Sequence, residues 1–237
     1  MNHYLTSILL GATLCVPHTL QANPASTDYV NQRISEAVNT LTSTLKSEIN
    51  RLATQITSQR IPTHALGERY QGGVIFFVDD SGLHGLIAAL RDANKGEGIQ
   101  WQNGVSGEKI VNARANGIGA GEGNTRLIIS QQTVDDQEGN FAALAALNYS
   151  VLADGTTPCP YSVKPSMMCY GGWYLPSLYE LDLMRRNLTS KYQLASLPYW
   201  SSTESSVTES WAQEVVGTPL LLDKSTGIVH VRAIRSF

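Results

Sequence analysis

The basic side chains in the last third of the chain are the residues best suited to bind a ligand. Residues 61–158 carry six basic and eleven acidic side chains, a net charge of −5, whereas residues 159–237 carry seven basic and six acidic ones, a net charge of +1. An anion site is therefore expected in the second segment, because arginine forks pair with sulfate through two hydrogen bonds. The candidate ligand-binding cations are Arg185, Arg186, Lys191, Lys224, Arg232 and Arg235.

Most of these cations also have a purely structural interpretation. Arg185 and Arg186 lie near the carboxyl end of a predicted helix, where positive charge interacts favourably with the helix dipole. Arg232 and Arg235 lie on a predicted last strand and can pair with nearby carboxylates. The sequence alone leaves both interpretations open.

Five aromatic side chains can be considered for stacking on sugar rings, since each offers a flat apolar face. The motifs that contain these side chains favour positions in the core. The five aromatic side chains are Trp173, Tyr174, Tyr199, Trp200 and Trp211.

Motifs for catalysis or metal binding are missing from the sequence. No G-x-S-x-G or H-E-x-x-H segment occurs, and Glu180 and Asp182 are two residues apart on a predicted helix, so they point in different directions. His64, His84 and His230 lack metal-ligand spacing. We expect no catalytic residue, no metal and no cofactor.

The cysteines and the amino terminus indicate the compartment. Residues 1–22 contain an apolar run too short to span a bilayer and end in a small residue, which predicts a signal peptide, with a buried helix as the alternative. Beyond it remain only Cys159 and Cys169, on either side of a proline-containing loop. We expect them to form a disulfide, with two free thiols as the alternative, in a protein that is secreted or attached to the cell surface without membrane insertion.

Residues 23–60 are expected to form a coiled-coil stalk, followed by a hinge at residues 61–66. No Gly or Pro occurs between Thr27 and Arg60, and apolar residues recur in alternating steps of three and four, with one stutter. The mixture of branched and unbranched residues in the seam is as compatible with a trimer as with a dimer. A single helix packed on its own domain is the alternative. The seam comprises Ile34, Val38, Leu41, Leu45, Ile49, Leu52 and Ile56.

Residues 67–237 are predicted to form an α+β domain. An apolar hairpin is expected from Val74–Val78 and Leu86–Leu90, and a glycine-rich surface turn at residues 116–125. One helix is expected at Gln137–Tyr149, and another after Pro176, where Ser177 and Glu180 form an S-x-x-E capping box. Short antiparallel strands follow in YWSSTE, SWAQEVV, PLLLDK and GIVHVRAIRSF.

Several of these segments together resemble the Lcl carboxy-terminal domain family, named from the legionella collagen-like adhesin. The matching motifs are GGWYLPSLYELDLM, YWSSTES, SWAQEVV and VRAIRSF, with YQGGVIFFVDDSGLHGLIAA and IGAGEGNT before them, so the resemblance covers about residues 66–237. It implies a C-type-lectin-like α+β fold with two helices and a short-stranded antiparallel β core, an extracellular location, trimer formation and binding of sulfated polysaccharides such as glycosaminoglycans.

The chain departs from its namesake in two features. It has no collagen-like Gly-X-Y region, so the predicted coiled coil takes the place of that region as the trimerising element. It also lacks the EPN or QPD plus WND motifs with which many C-type lectins bind sugar through calcium. The expected function is that of an oligomeric adhesin-like protein, not an enzyme, that binds anionic polysaccharides. The alternative is a structural or protein-binding tip of an extracellular fibre.

Nucleic acid is not an expected partner. The chain has 17 Lys and Arg against 20 Asp and Glu, a net charge of −3. An acidic protein does not have the positive surface potential that draws polyanions such as DNA without sequence preference.

Overall fold

The computed structural model describes residues 27–58, 63–162, 164–188, 194, 197–214 and 216–237. By its internal contacts the chain divides into two compact units, residues 1–60 and 61–237. The predicted signal peptide, and residues 61 and 62 of the predicted hinge, lie outside the described residues. The finer domain boundaries remain predictions.

The first unit contains one long helix, α1 (Thr27–Ser58). Its seam residues are all exposed, with 45% to 67% of each one's surface accessible to solvent. Pairs one turn apart support the polar faces, among them an ion pair between Arg33 and Glu36 with a separation of 2.9 Å. Such exposed pairs contribute only a few tenths of a kcal/mol each, so this helix has a large apolar stripe and little stabilisation of its own.

The second unit, called the head below, is a mixed α+β domain whose sheets are antiparallel. Four strands form one sheet in the order β1-β2-β3-β9, two form a ribbon, β4-β5, and three form a second sheet, β6-β7-β8. The strands are β1 (Arg69–Tyr70), β2 (Gly73–Val78), β3 (Gly85–Ala89), β4 (Val151–Leu152), β5 (Cys169–Tyr170), β6 (Tyr199–Glu204), β7 (Glu209–Gln213), β8 (Pro219–Asp223) and β9 (Ile234–Ser236). The helices are α2 (Ala120–Gln132), α3 (Ala142–Leu147) and α4 (Leu178–Asn187), with 3-10 turns at Asn94–Gly96 and Val105–Gly107.

The predicted apolar hairpin forms the centre of the four-stranded sheet. Strands β2 and β3 pair from Gly73 with Ala89 to Val78 with Gly85, with one irregularity between Ile75 and Phe77. Every residue of β3 is buried. Strand β9 then pairs with β3 on the other side, so the last segment of the chain completes the sheet that the first strands begin.

Two predictions for the helices of the head were wrong. The glycine-rich segment is a surface turn only at its start, because helix α2 begins at Ala120 and includes the rest of it. The helix expected at residues 137–149 is restricted to α3, since Phe141 is extended and Gly139 lies directly against the side chain of Asn103. The described part of the head thus has three α-helices where two were expected.

The third helix, α4, begins as predicted. Ser177 accepts the amide N–H of Glu180 with its hydroxyl, at 3.2 Å, and the Glu180 carboxylate accepts the amide N–H of Ser177, at 2.8 Å. This reciprocal pair is the capping box, and it satisfies two amide groups that the first turn of a helix leaves without partners.

The same carboxylate also holds the start of α2. Glu180 accepts the amide N–H groups of Gly119 and Gly121, at 2.7 and 3.1 Å, and lies 3.2 Å from the hydroxyl of Tyr174. Its side chain is fully buried. A Cβ on Gly121 would lie 2.5 Å from Glu180 Oε2, so only glycine permits this approach. One buried carboxylate therefore joins the amino ends of two helices.

Replacing this carboxylate by an amide tests how much the head depends on it. In Glu180→Gln the new NH₂ group faces amide donors, so we expect a free energy of unfolding lower by about 3 kcal/mol in urea denaturation. Glu138→Gln, at an exposed position, is the matched control and is expected to change stability by less than about 0.5 kcal/mol. Equal stability of the two variants would contradict the role given to Glu180.

Candidate functional site

Lys224, one of the predicted ligand-binding cations, lies in the interior. It follows β8 in a turn, and its side chain is fully buried. Its Nζ donates to Glu204 Oε1 at 2.7 Å and to the carbonyl oxygens of Lys109 and Val207, at 3.1 and 2.9 Å. Burial lowers the pKa of the Lys224 ammonium group, while Glu204 opposes that shift. All three donors have partners inside the head, so the structure gives Lys224 a structural role, and its contact with a ligand stays a prediction.

Arg232 is engaged in the same way. Its exposed fraction is 3%, and it donates through Nε to Asp92 Oδ1 at 2.6 Å and through Nη1 to the carbonyl oxygen of Ala89 at 3.1 Å. The other oxygen of Asp92 lies 3.2 Å from both the Tyr199 hydroxyl and His230 Nδ1. The structural alternative, pairing with a local carboxylate, describes Arg232, and its assignment to ligand binding stays a prediction.

Arg185 and Arg186 lie in the last turn of α4 and share one carboxylate. Their Nη2 atoms lie 2.8 and 3.0 Å from the two oxygens of Asp182. Arg186 is the more accessible, with half of its side chain exposed. Together with Asp182 they leave one net positive charge at this end of the helix. Lys191, predicted to belong to the same patch, lies outside the described residues.

Arg235 differs from these cations because no carboxylate neutralises it among the described residues. It is half-buried on β9, and its Nε is buried without a hydrogen-bond partner. Its guanidinium carbon lies 5.6 Å from the ring centre of Tyr170 and 5.8 Å from that of Trp173, within the range of cation–π contact. Burial lowers the pKa of Arg235, yet an arginine stays charged at neutral pH. The charge is therefore flanked by aromatic rings, and no described residue supplies an anion to it.

Two further aromatic rings, those of Tyr70 and Phe237, contact each other where the first and last segments of the head meet. Phe237 follows Arg235 by two residues, and the ring centre of Phe237 is 5.4 Å from that of Tyr70 on the first strand. Tyr70, Tyr170 and Phe237 were not among the candidates predicted from the sequence. Tyr170 could have been noticed because it directly follows Cys169, whereas the approach of Tyr70 to Phe237 joins opposite ends of the head.

The aromatic residues proposed for sugar stacking are mostly core residues. Trp173, Tyr174, Tyr199 and Trp200 are each at most 3% exposed. Trp211, on β7, is half-buried and lies opposite Leu221 of β8 in the sheet. Of the five, only Trp211 has an appreciable surface available to a ligand.

The disulfide predicted from the two cysteines is present. Cys159 and Cys169 are bonded, with Cα atoms 5.9 Å apart. The bond closes the loop before β5, and β5 pairs with β4 through Cys169 with Leu152 and Tyr170 with Val151. The Trp173 indole N–H donates to the carbonyl oxygen of Tyr170 at 3.0 Å. The disulfide thus helps to fix the two rings that flank Arg235.

In the described part of the chain, no group of three or more His, Cys, Asp and Glu side chains is arranged to hold a metal ion. No helix there is long and apolar enough to cross a membrane.

Comparison with models of known protein families and with curated protein sequences gave no match to this chain. The candidate site is therefore defined by its geometry alone. It consists of Arg235, which no described carboxylate neutralises, and the Tyr170 and Trp173 rings beside it. Arg235 lies on β9, in the sheet that also contains the first strands of the head.

Removing the disulfide tests its part in holding the site. Cys159→Ser/Cys169→Ser is expected to lower the free energy of unfolding by about 2.5 to 3 kcal/mol, because the unfolded chain loses a loop constraint. Urea denaturation with and without a reductant provides the control, since a reductant should destabilise the wild type and leave the double variant unchanged. An unaltered wild-type midpoint under reducing conditions would contradict this expectation.

Proposed function

We propose that the protein is a secreted or surface-associated bacterial adhesin whose oligomeric stalk carries heads that bind anionic, sulfated polysaccharides. The proposal includes membership of the Lcl carboxy-terminal domain family and a C-type-lectin-like fold for the head. The antiparallel sheets, the disulfide and the absence of a membrane-spanning helix from the described residues are compatible with it. Binding without catalysis is the activity proposed.

The motifs that carry the family resemblance support the fold more directly than the ligand. Trp173 in GGWYLPSLYELDLM is a core residue, and Ser177 and Glu180 in the same motif form the capping box. YWSSTE forms β6, whose residues are all buried, and VRAIRSF contains β9. A shared framework would require these residues whatever the head binds.

The single observation that carries the binding proposal is the state of Arg235. A buried or half-buried cation in a folded protein is normally paired, because removing charge from water costs free energy. Arg235 has a buried Nε without an acceptor and aromatic rings in place of a carboxylate. A sulfate or carboxylate group from a ligand would supply a countercharge to the accessible part of this half-buried guanidinium group through hydrogen bonds.

The stalk proposal rests on the exposed apolar stripe of α1. Its seam repeats at heptad spacing, and a helix of this polar composition is marginal in water unless the stripe is covered. Copies of the same helix are suitable partners, because parallel chains place identical seams side by side. We propose a trimer, which would repeat a weak contact of one head three times and so increase avidity.

The second candidate function, a structural or protein-binding tip, is favoured by a different observation. Four of the five aromatic residues considered for sugar contact are buried, and two of the predicted cations are neutralised inside the head. A tip that binds no glycan would need neither exposed aromatic rings nor an unpaired cation on its surface.

Polar substitutions in the seam test the stalk. In the full chain, Leu41→Asn/Leu45→Asn buries two amides in the proposed interface, so sedimentation should shift from the trimer mass to the monomer mass. Ser43→Asn/Ser47→Asn has the same spacing on the opposite face and is expected to remain trimeric. A wild-type chain that sediments as a monomer would contradict the proposal directly.

Neutralising Arg235 tests the site on the head. Loss of one charge-assisted contact of about 1.5 to 3 kcal/mol predicts that Arg235→Gln binds heparin roughly ten- to a hundredfold more weakly per head. The heparin affinity of Arg235→Gln should also fall less steeply as the salt concentration rises, because fewer ionic contacts form. Binding is measured by calorimetry at two salt concentrations.

Two further variants make that result specific. Arg126→Gln removes the same charge from an exposed position with a helix partner and should bind heparin like the wild type. Arg185→Gln/Arg186→Gln tests the end of α4. Loss of binding only in this double variant would move the site to α4, and unchanged binding in all variants would favour the protein-binding tip.

A further inference from the structure

Strand β8 forms one edge of the three-stranded sheet, and its outer side is open. Among the described residues it pairs only with β7. An unpaired edge presents a row of amide N–H and carbonyl groups to which a further strand can bind. Proteins commonly protect such edges with prolines and charged residues. In β8 these occur only at the two ends, as Pro219 and Asp223, and the residues between them, 220–222, are all leucine.

The backbone groups that point outward from β8 follow from the bonds at its end. The Lys224 amide N–H donates to the carbonyl oxygen of Thr208 at 2.8 Å, whereas the carbonyl oxygen of Glu209 accepts amides from the turn after β6. Backbone groups of successive strand residues point to alternate sides. The N–H and C=O of Leu221 therefore point away from β7, as does the N–H of Asp223. No described residue outside the sheet forms a backbone hydrogen bond with either group of Leu221.

An apolar pair lies beside this edge, on one face of the sheet. Leu221 is 42% exposed and lies directly opposite Trp211, which is half-buried. Side chains of directly opposite residues project to the same face and contact each other. An apolar residue of an added strand, placed opposite Leu221, would extend this contact across the edge.

Two acidic side chains on the same face are left without a cation. Glu209 and Asp223 lie directly opposite each other, and no described residue forms an ion pair with either of them. The adjacent Lys224 pairs with Glu204 in the interior instead. Hydrogen bonds from Ser225 lower the pKa of Asp223, so its carboxylate is ionised at neutral pH. Like charges directly opposite each other destabilise a sheet, and a cation from a partner would relieve that repulsion.

We propose that β8 is a docking edge for an extended segment of a partner protein, which adds a strand antiparallel to β8 with an apolar residue opposite Leu221 and a Lys or Arg opposite Asp223. Residues on one face of a strand are two positions apart, so the partner motif is a cation, any residue and then an apolar residue. The inference goes beyond the proposed function and does not depend on it, because Arg235 lies on β9 in the other sheet.

Two capped peptides of equal composition test the motif. Thr-Lys-Thr-Ile-Thr-Thr has the required spacing, whereas Thr-Thr-Lys-Ile-Thr-Thr places Lys and Ile on opposite faces. Nuclear magnetic resonance on the full chain, labelled with nitrogen-15 leucine, reports on the edge. The first peptide should shift the Leu221 amide signal until it saturates, with smaller shifts at Leu220 and Leu222, whose N–H groups point towards β7. The second peptide should bind about two- to fivefold more weakly, because it loses the ionic contact.

Variants of the edge residue itself provide the second arm. Leu221→Pro removes an outward N–H, so the bonds to β7 remain and the head is expected to stay folded. Leu221→Val keeps the N–H and is the matched control. With a fluorescent form of the first peptide, anisotropy should show binding by Leu221→Pro weaker by roughly five- to tenfold and binding by Leu221→Val like that of the wild type. Urea denaturation verifies that both variants are folded.

A charge variant keeps the test valid if proline disturbs the strand. Glu209→Gln should weaken binding of the first peptide about two- to fivefold and leave the second unchanged, because only the first places Lys beside Glu209. Glu214→Gln makes the same change beyond the far end of β7 and should bind both peptides like the wild type.

Three results would overturn the proposal. The first is the absence of any Leu221 shift with either peptide at millimolar concentration. The second is equal binding of the two peptides, or equal binding by folded Leu221→Pro and Leu221→Val. The third is a Leu221 shift when the chain is concentrated without peptide, which would assign the edge to a second copy of the chain. Folded Leu221→Pro is expected to bind heparin like the wild type, so failure of the docking edge and failure of polysaccharide binding are distinguishable.

Discussion

A buried carboxylate must be surrounded by donors, and the arrangement of the head depends on how that requirement is met at Glu180. Its oxygens accept amide N–H groups from Ser177, Gly119 and Gly121, which lie at the amino ends of two helices. The Tyr174 hydroxyl lies against the same carboxylate, and burial next to it raises the pKa of Tyr174. Since Tyr174 pairs with Ile234, the packing of α2 and α4 is joined to the strand that carries Arg235.

The same requirement distinguishes structural from functional cations. Glu204 and Asp92 are held inside the head, and Lys224 and Arg232 neutralise them. Removing either cation would leave a carboxylate in the interior without its countercharge, which is strongly destabilising. Arg235 serves no such purpose, because the groups around it are aromatic rings. Arg235 is thus a cation that the described fold does not use to neutralise a buried carboxylate, and we propose that a ligand uses it.

Local signals in the sequence predicted local structure well. Two continuous apolar runs around a DDSG turn predicted the hairpin β2–β3, the S-x-x-E spacing predicted the start of α4, and two cysteines around a proline-containing loop predicted the disulfide. Features that depend on long-range contacts were missed. The glycine-rich segment becomes helical because Glu180, far along the chain, accepts its amides, and Lys224 is buried because Glu204 lies beside it. Periodicity carries no information about either contact, so a turn lysine and a glycine run were given their usual surface interpretations.

We propose that an oligomer of these heads recognises acid groups on polysaccharides. The most direct measurement is binding of the purified chain, residues 23–237, to sulfated and neutral polysaccharides at two salt concentrations, with the mass in solution determined on the same sample. We expect a trimer that binds the sulfated polymers, more weakly as salt rises, and does not bind the neutral ones. A monomer, or equal binding of neutral and sulfated polymers at both salt concentrations, would contradict the account.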